Sequence, residues 1–304
     1  MEVDMHKSVL LHESIDGLDI KEGDIFVDGT LGNGGHSEEV CKRFGNKVSI
    51  VGIDLDLDAI KRSKVKLNPL NNKIRYVQGS FRNIDTILDS LSIEKVDRIL
   101  LDVGLSSNQF EESGRGFSFQ KDEPLIMSFK ENLNESDLTA RQIVNNWDEE
   151  NIRAILEGYG EEQFAYKIAK AIVVERGKKP IETTGELVEI ILSATPKFYH
   201  HRKIHPATKT FQALRITVND EIESLKEGIS KGFERLSRNG RLAVISFHSL
   251  EDRVVKQFFR EKDDAGEGER VTKKPISPDE SEVTLNPRAR SAKLRIIKKY
   301  IRIR

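Results

Sequence analysis

Ile25-Phe26-Val27-Asp28-Gly29-Thr30-Leu31-Gly32-Asn33-Gly34-Gly35-His36-Ser37 is an apolar run, an acid and a glycine-rich turn. It leads into Glu38-Glu39-Val40-Cys41-Lys42-Arg43-Phe44, which reads as a helix. The order strand, turn, helix is the opening unit of an α/β sheet. Four glycines among residues 29–35 let the backbone approach a ligand with no Cβ in the way, and the helix start aims unpaired amide groups at it. A nucleotide-like cofactor suits such a turn, with Gly32, Gly34 and Gly35 in contact. A dinucleotide fingerprint differs from this run only at Ser37, where its third glycine would stand.

The acids shift the choice of cofactor. Asp28 sits at the strand end, where negative charge suits a cationic amino acid or a sulfonium better than a pyrophosphate. Asp54 closes the next apolar run, Val48 to Asp54, about twenty residues after Gly34, the position from which a carboxylate accepts from ribose hydroxyls. That second acid fits NAD and S-adenosylmethionine equally.

Further along, Ile74 to Val77 and Ile99 to Val103 read as strands, with helices at Asp58 to Leu67 and Ile84 to Ser92 between them. After Asp102 the rhythm changes. Residues 104–124 read as loop, and helical periods follow at 138–147, 149–157, 163–176 and 184–194. A long helix over 207–236, a turn at Asn239-Gly240 and the run Leu242 to Ile245 resume the sheet pattern, and 294–303 reads as a closing edge strand. The expected organisation is a discontinuous cofactor domain, 1–108 with 206–304, and an inserted, mainly helical substrate domain, 109–205. Three acids, Asp28, Asp54 and Asp102, fall at carboxyl ends of strands, where an open α/β sheet binds its ligand.

The chain has 304 residues, a formal charge of −1 and a single cysteine, Cys41, so an internal disulfide framework is excluded. No run approaches membrane-span length and no signal peptide is visible, so the expectation is a soluble cytoplasmic protein without a membrane partner. The near-neutral total hides a segregation. Residues 195–219 hold five basic side chains (Lys197, Arg202, Lys203, Lys209, Arg215) and residues 283–304 hold eight, neither with an acid, which leaves −14 on the rest. Two basic segments on an acidic body are the footprint of a nucleic-acid partner.

Several further blocks complete the pattern: HKSVLLHE (His6 to Glu13), DVGLSSNQ (Asp102 to Gln109), RGFSF (Arg115 to Phe119), HPATKTFQALRI (His205 to Ile216), SFHSLEDR (Ser246 to Arg253) and NPRARS (Asn286 to Ser291). With these the chain closely resembles the MraW/RsmH family of bacterial methyltransferases, in the family's order and over nearly its whole length. The resemblance implies a class I, Rossmann-like, S-adenosylmethionine-dependent methyltransferase sheet with an inserted helical substrate domain. It also implies N4-methylation of a cytosine in 16S ribosomal RNA, with the 30S subunit as the setting. By that resemblance the cofactor contacts fall on Gly34, Gly35, His36, Asp54, Phe81, Asp102 and Gln109. One stretch departs from it: where the family usually reads Gly-Pro-Leu-Asp-Met-Arg-Met, this chain has Glu123-Pro124-Leu125-Ile126-Met127-Ser128-Phe129.

Methylation of an exocyclic amine asks mainly for positioning, helped by an acceptor on its N–H. The Asp102 carboxylate or a nearby backbone carbonyl is the candidate acceptor; Asp102 could instead contact the cofactor, and one side chain is not assumed to do both. A base held out of a stack needs an aromatic face, for which Phe117, Phe119 and Phe247 are candidates. Arg202, Lys203 and Lys209 are the candidate phosphate contacts. His248 lies among Ser246, Ser249 and Asp252 with no nucleophile elbow around it, so it counts as a substrate candidate beside a capping box expected at Ser249 to Asp252. His200, His201 and His205 match no zinc spacing, and no metal is expected. The competing readings are an NAD-dependent oxidoreductase and a non-catalytic ribosome-assembly factor that keeps the cofactor pocket.

Overall fold

The computed structural model describes residues 8–104, 113–130 and 132–300. The chain divides into two compact units, Met1–Gly104 with Ile222–Arg304, and Leu105–Glu221.

The first unit is built on a seven-stranded sheet: β1 (Ile25–Asp28), β2 (Ser49–Asp54), β3 (Ile74–Gln78), β4 (Val96–Asp102), β5 (Leu236–Ser246), β6 (Gly268–Arg270) and β7 (Lys293–Lys299), in the order β3-β2-β1-β4-β5-β7-β6. The first five strands are parallel and β7 is antiparallel to both its neighbours. Apolar side chains leave the strands on both faces, which is why the central strands read as continuous apolar runs rather than alternating ones. Phe26, Ile50, Leu100, Ala243, Ile245 and Leu294 face one layer of helices, α1 (Leu11–Leu18), α2 (Gly35–Phe44) and α3 (Leu57–Leu67). Val27, Val51, Ile99, Leu101, Leu242 and Val244 face the other, α4 (Ile84–Ser90), α10 (Glu221–Arg235) and α11 (Ser249–Asp264).

The second unit is helical: α5 (Ala140–Asn146), α6 (Glu149–Gly158), α7 (Ala165–Arg176), α8 (Thr184–Ala194) and α9 (Ala207–Asn219). Its helices begin where the sequence supplies caps. Thr139 with Gln142 and Thr183 with Glu186 form reciprocal capping boxes, and Asp148 accepts from the Asn151 amide. Its core gathers Leu125, Met127, Ile143, Ile168, Leu187 and Phe211.

Four expectations change. The 207–236 helix is two helices, because Asp220 takes a left-handed conformation with φ 49° between them. The unit boundaries fall after Gly104 and after Glu221 rather than after 108 and 205, since the apolar face of α9 (Ala207, Phe211, Ala213, Leu214) joins the helical core. Residues 293–299 form an interior strand, with the short β6 outside it as the edge. Asn239-Gly240 is not a turn ahead of the strand but an irregularity within β5. Asn239 has φ 66°, and the pairing with β4 shifts between Val96–Leu236 and Arg98–Arg241.

Candidate functional site

In a sheet of this order the strand connections reverse direction between β1 and β4, so the crevice for a ligand opens at their carboxyl ends. Asp28, Asp54 and Asp102 are the last residues of β1, β2 and β4. Between β1 and α2 the glycine turn is left-handed at Gly32 (φ 50°) and Gly34 (φ 73°), a conformation in which a side chain would be strained. Gly34 is also the N-cap of α2, so the first-turn amides of that helix point outward without intrahelical acceptors.

The three carboxylates differ in what they can do. Asp54 Oδ2 accepts from the Gly32 amide at 2.7 Å and Oδ1 from the Asp56 amide at 2.8 Å, so it holds the turn in shape while keeping lone pairs for a ligand. Burial raises its pKa above the usual carboxylate value. Asp28 is 1% exposed and lies under the turn, not in it: Ser37 Oγ donates to its Oδ2 at 2.7 Å and the Thr30 amide reaches its Oδ1 at 3.4 Å. Its burial leaves little of the carboxylate open to the direct ligand contact expected from its place at the strand end. Burial pushes its carboxyl up to about 6.

Asp102 is the least satisfied of the three. Among the described residues its Oδ1 is enclosed and has no hydrogen-bond partner. Burial, with the nearby Asp28 charge adding to it, pushes the Asp102 carboxyl up to about 7. An orphaned carboxylate oxygen is costly unless a ligand donates to it or brings positive charge. The donor set therefore fits an adenosyl group with a sulfonium: Asp54 for hydroxyls, Asp102 beside positive charge, amides and left-handed glycines for close approach. A pyrophosphate would meet Asp54 and Asp102, with the buried Asp28 charge close by.

The remaining candidates have distinct surroundings. His36 lies in the first turn of α2, but its ring Nε2 is 3.2 Å from the Val9 carbonyl oxygen, so the ring is turned to the N-terminal segment. Phe81 begins the single turn after β3, and its ring lies over Gly228 of α10, where a Cβ would stand 2.5 Å from Cδ2. Gly35 packs its α-carbon against Ser8. Gln109 lies outside the described residues. Phe247 rests on Gly104, two residues past Asp102, so tightly that a Cβ there would come within 2.6 Å of the ring. Phe117 is 5% exposed, stacked on Phe129 in the helical core, and is not available to a base without unpacking. Phe119 is half-buried, stacked on His205 at 4.7 Å and edge-on to Phe211.

His248 is the N-cap of α11. Its ring accepts from the Glu251 amide at 3.4 Å while Glu251 Oε2 accepts from the amides of Phe247 and His248. The capping box is thus His248 with Glu251, one residue earlier than Ser249 to Asp252. Asp252 is not a partner for His248 either, since Arg295 and Lys293 hold its carboxylate.

The basic segments thin out once their partners are seen. Arg295 (7% exposed) grips Asp252, Lys299 donates to the carbonyls of Phe233 and Glu234, Arg215 pairs with Glu221, and Lys209 donates to the Glu161 carbonyl. Lys197, Arg202 and Lys203 of the first segment remain exposed, as do Arg288 and Arg290 of the second. The departing segment is clamped inside the helical unit: Arg115 donates to the carbonyls of Ser128, Phe129 and Lys130, and Asn219 bonds both Met127 and Phe129. Ile126 is half-buried and Ser128 buried.

Sequence reasoning passed over the hydroxyls of the turn. Thr30 Oγ1 accepts from the Asp102 amide at 2.6 Å, Ser37 donates to Asp28, and Ser63 donates to the Gly32 carbonyl at 2.7 Å. Thr30 and Ser37 stand within or directly after the glycine run, and that position was the available signal; Ser63 had none.

The model of the MraW methylase family matches residues 4–300 of this chain. A Clostridium botulinum protein (strain Kyoto / Type A2) named ribosomal RNA small subunit methyltransferase H is 48% identical over 97% of this chain and 98% of its own, and its counterpart in strain Loch Maree / Type A3 is 47% identical over the same shares. Among solved structures, an rRNA methylase from Streptococcus thermophilus gives a TM-score of 0.46 at 13% identity, covering 98% of this chain and 99% of that one. NSun6 from Pyrococcus horikoshii with SFG gives 0.47 at 14%, covering 97% and 53%.

Proposed function

The chain belongs to the MraW methylase family, and we propose that it uses S-adenosylmethionine to methylate N4 of a cytosine in 16S ribosomal RNA, within the small subunit. The observation that carries the reading is the unpartnered Oδ1 of Asp102 beside a left-handed glycine turn whose shape is fixed by Asp54.

S-adenosylmethionine would supply an electrophilic methyl group on positively charged sulfur. Asp54 accepts from the ribose hydroxyls, with Gly32, Gly34 and Gly35 keeping the backbone close enough for that reach. Asp28 contributes negative potential from below the turn. Asp102 accepts an N–H of the cytosine amine, which draws the delocalised lone pair toward the reacting face and orients it. As the new C–N bond forms and the donor's methyl–sulfur bond breaks, leaving neutral S-adenosylhomocysteine, the amine gains positive charge and then loses a proton. A carboxyl whose pKa lies at about 7 is suited to hold that proton before passing it to solvent. Phe247, packed on Gly104 next to Asp102, offers the aromatic face for the base. Neither an oxidoreductase nor an assembly factor without turnover gives the orphaned oxygen of Asp102 this use.

The test is transfer of label from methyl-tritiated S-adenosylmethionine to small subunits isolated from cells lacking this protein, followed by digestion to nucleosides. The reading expects the label in N4-methylcytidine and its loss in Asp102→Ala. Label on another atom would remove the N4 assignment, and cofactor binding without any transfer would leave an assembly role.

A further inference from the structure

We propose that Phe198, on the exposed stretch Lys197 to His205 of the helical unit, is a stacking platform for a single-stranded segment of the RNA substrate, away from the target base. The inference rests on the reading of this protein as an RNA methyltransferase.

Phe198 is 61% exposed, on a single helical turn (Lys197–His200) whose next residue is buried. The turn is fixed from below. Tyr199 is 5% exposed, its hydroxyl donates to Glu162 at 2.7 Å, and its ring meets Phe164 edge-on at 4.9 Å. Phe164 in turn touches the edge of Phe198 at 6.2 Å. An anchored turn therefore presents a large apolar ring outward.

Cations stand on the rings that anchor it. Arg202 lies over the Tyr199 ring at 5.1 Å and Lys167 over the Phe164 ring at 5.7 Å, while Lys197 and Lys203 are exposed. Residues 195–219 contain no acid, and the acid beneath the platform, Glu162, is 3% exposed and satisfied by Tyr199 and the Phe164 amide. Rings interleaved with cations match the two recurring demands of a single strand, a π-face for each base and positive charge for each phosphate. A protein partner would call for a contiguous apolar patch, whereas in this stretch the two exposed apolar side chains, Phe198 and Ile204, are separated along the chain by basic and imidazole groups.

The experiment measures binding of fluorescent single-stranded oligocytidine by the full-length protein, with S-adenosylmethionine affinity as the check of an intact fold. Phe198→Ala should weaken oligocytidine binding by roughly 5- to 150-fold, the range for losing one stacked base, with cofactor affinity unchanged. Phe198→Trp should retain binding, and its added indole emission should be quenched by the RNA. Unchanged binding by Phe198→Ala, no binding by the wild type, or a defect seen with whole subunits but not with the oligonucleotide would each overturn the platform, the last pointing to a ribosomal protein as its partner. Failure of the underlying reading is distinct from these: the wild type would then transfer no label to small subunits.

Discussion

The amide of Asp102 donates to Thr30 Oγ1 at 2.6 Å, joining the end of β4 to the turn that follows β1. The same Thr30 sends its own amide toward Asp28. One residue thereby sets the distance between the buried acid and the acid proposed to face the reacting amine. Thr30→Val keeps the shape of the side chain and removes the acceptor, leaving a partly buried amide without its partner at a cost of up to about 1–3 kcal/mol. The expected result is a lower thermal midpoint together with reduced kcat on small subunits. A variant with wild-type turnover would separate Thr30 from the positioning of Asp102.

Asp54 holds the turn through Gly32 and is proposed to hold the ribose. Asp54→Ala should weaken S-adenosylmethionine binding by about 1.5–3 kcal/mol, the range for hydrogen bonds to a charged group. Titration calorimetry reads this directly, and unchanged affinity would contradict the assignment. NAD is expected to give no heat under the same conditions.

Asp28 and Asp102 have carboxyls raised to about 6 and about 7, both chiefly by burial. In the unfolded chain both titrate at about 3.9. Between pH 4 and 7 these two side chains therefore bind more protons in the folded chain than in the unfolded one, so they lower its stability as pH rises through that window. Denaturant unfolding of the ligand-free protein at a series of pH values should show the decline, and Asp102→Asn should flatten it. A cation bound at the site favours the ionised carboxylates, so S-adenosylmethionine affinity should climb from pH 5.5 to 7.5. An affinity that fell over that range would place the positive charge elsewhere.

Arg295 and the pair Arg202 and Lys203 all counted toward a nucleic-acid footprint in the sequence, but only the second pair is exposed. Arg202→Ala with Lys203→Ala should reduce the salt slope of RNA binding by about one unit for each phosphate left without its cation, leaving cofactor affinity alone. Arg295→Ala should instead leave the buried Asp252 carboxylate with Lys293 alone. Burial opposes the charge of Asp252, but Arg295 and Lys293 outweigh that effect and hold its pKa below the usual value. Losing Arg295 should cost about 3–5 kcal/mol of stability, the penalty for breaking a buried pair. An Arg295→Ala protein of normal stability with a reduced salt slope would reverse this assignment.

That contrast marks what was legible in the chain. The glycine turn and the acids at three strand ends were readable because each is local: its residues are neighbours in sequence or fall at a fixed period. The break at Asp220 was hidden because aspartate carries no strong stop signal and the apolar period runs on through it. The position of β7 inside the sheet was hidden because the short β6 lacks a strand signature. Partners of Arg295, Lys299 and Arg215 lie on other elements or across a helix break, so a charge count could not separate paired cations from free ones. Asp28 misled for the same reason: its place at the strand end was correct, but Ser37, nine residues on, turns it under the loop.

A crystal of this protein grown with S-adenosylmethionine tests the central claim most directly. The account predicts the ribose hydroxyls on Asp54, the adenosyl group against the turn from Gly32 to Gly35, and the charged sulfur on the side of Asp102, with Asp28 still bonded to Ser37 beneath. A donor bound away from the ends of β1, β2 and β4, or one that leaves the Asp102 carboxylate without a new neighbour, would contradict it.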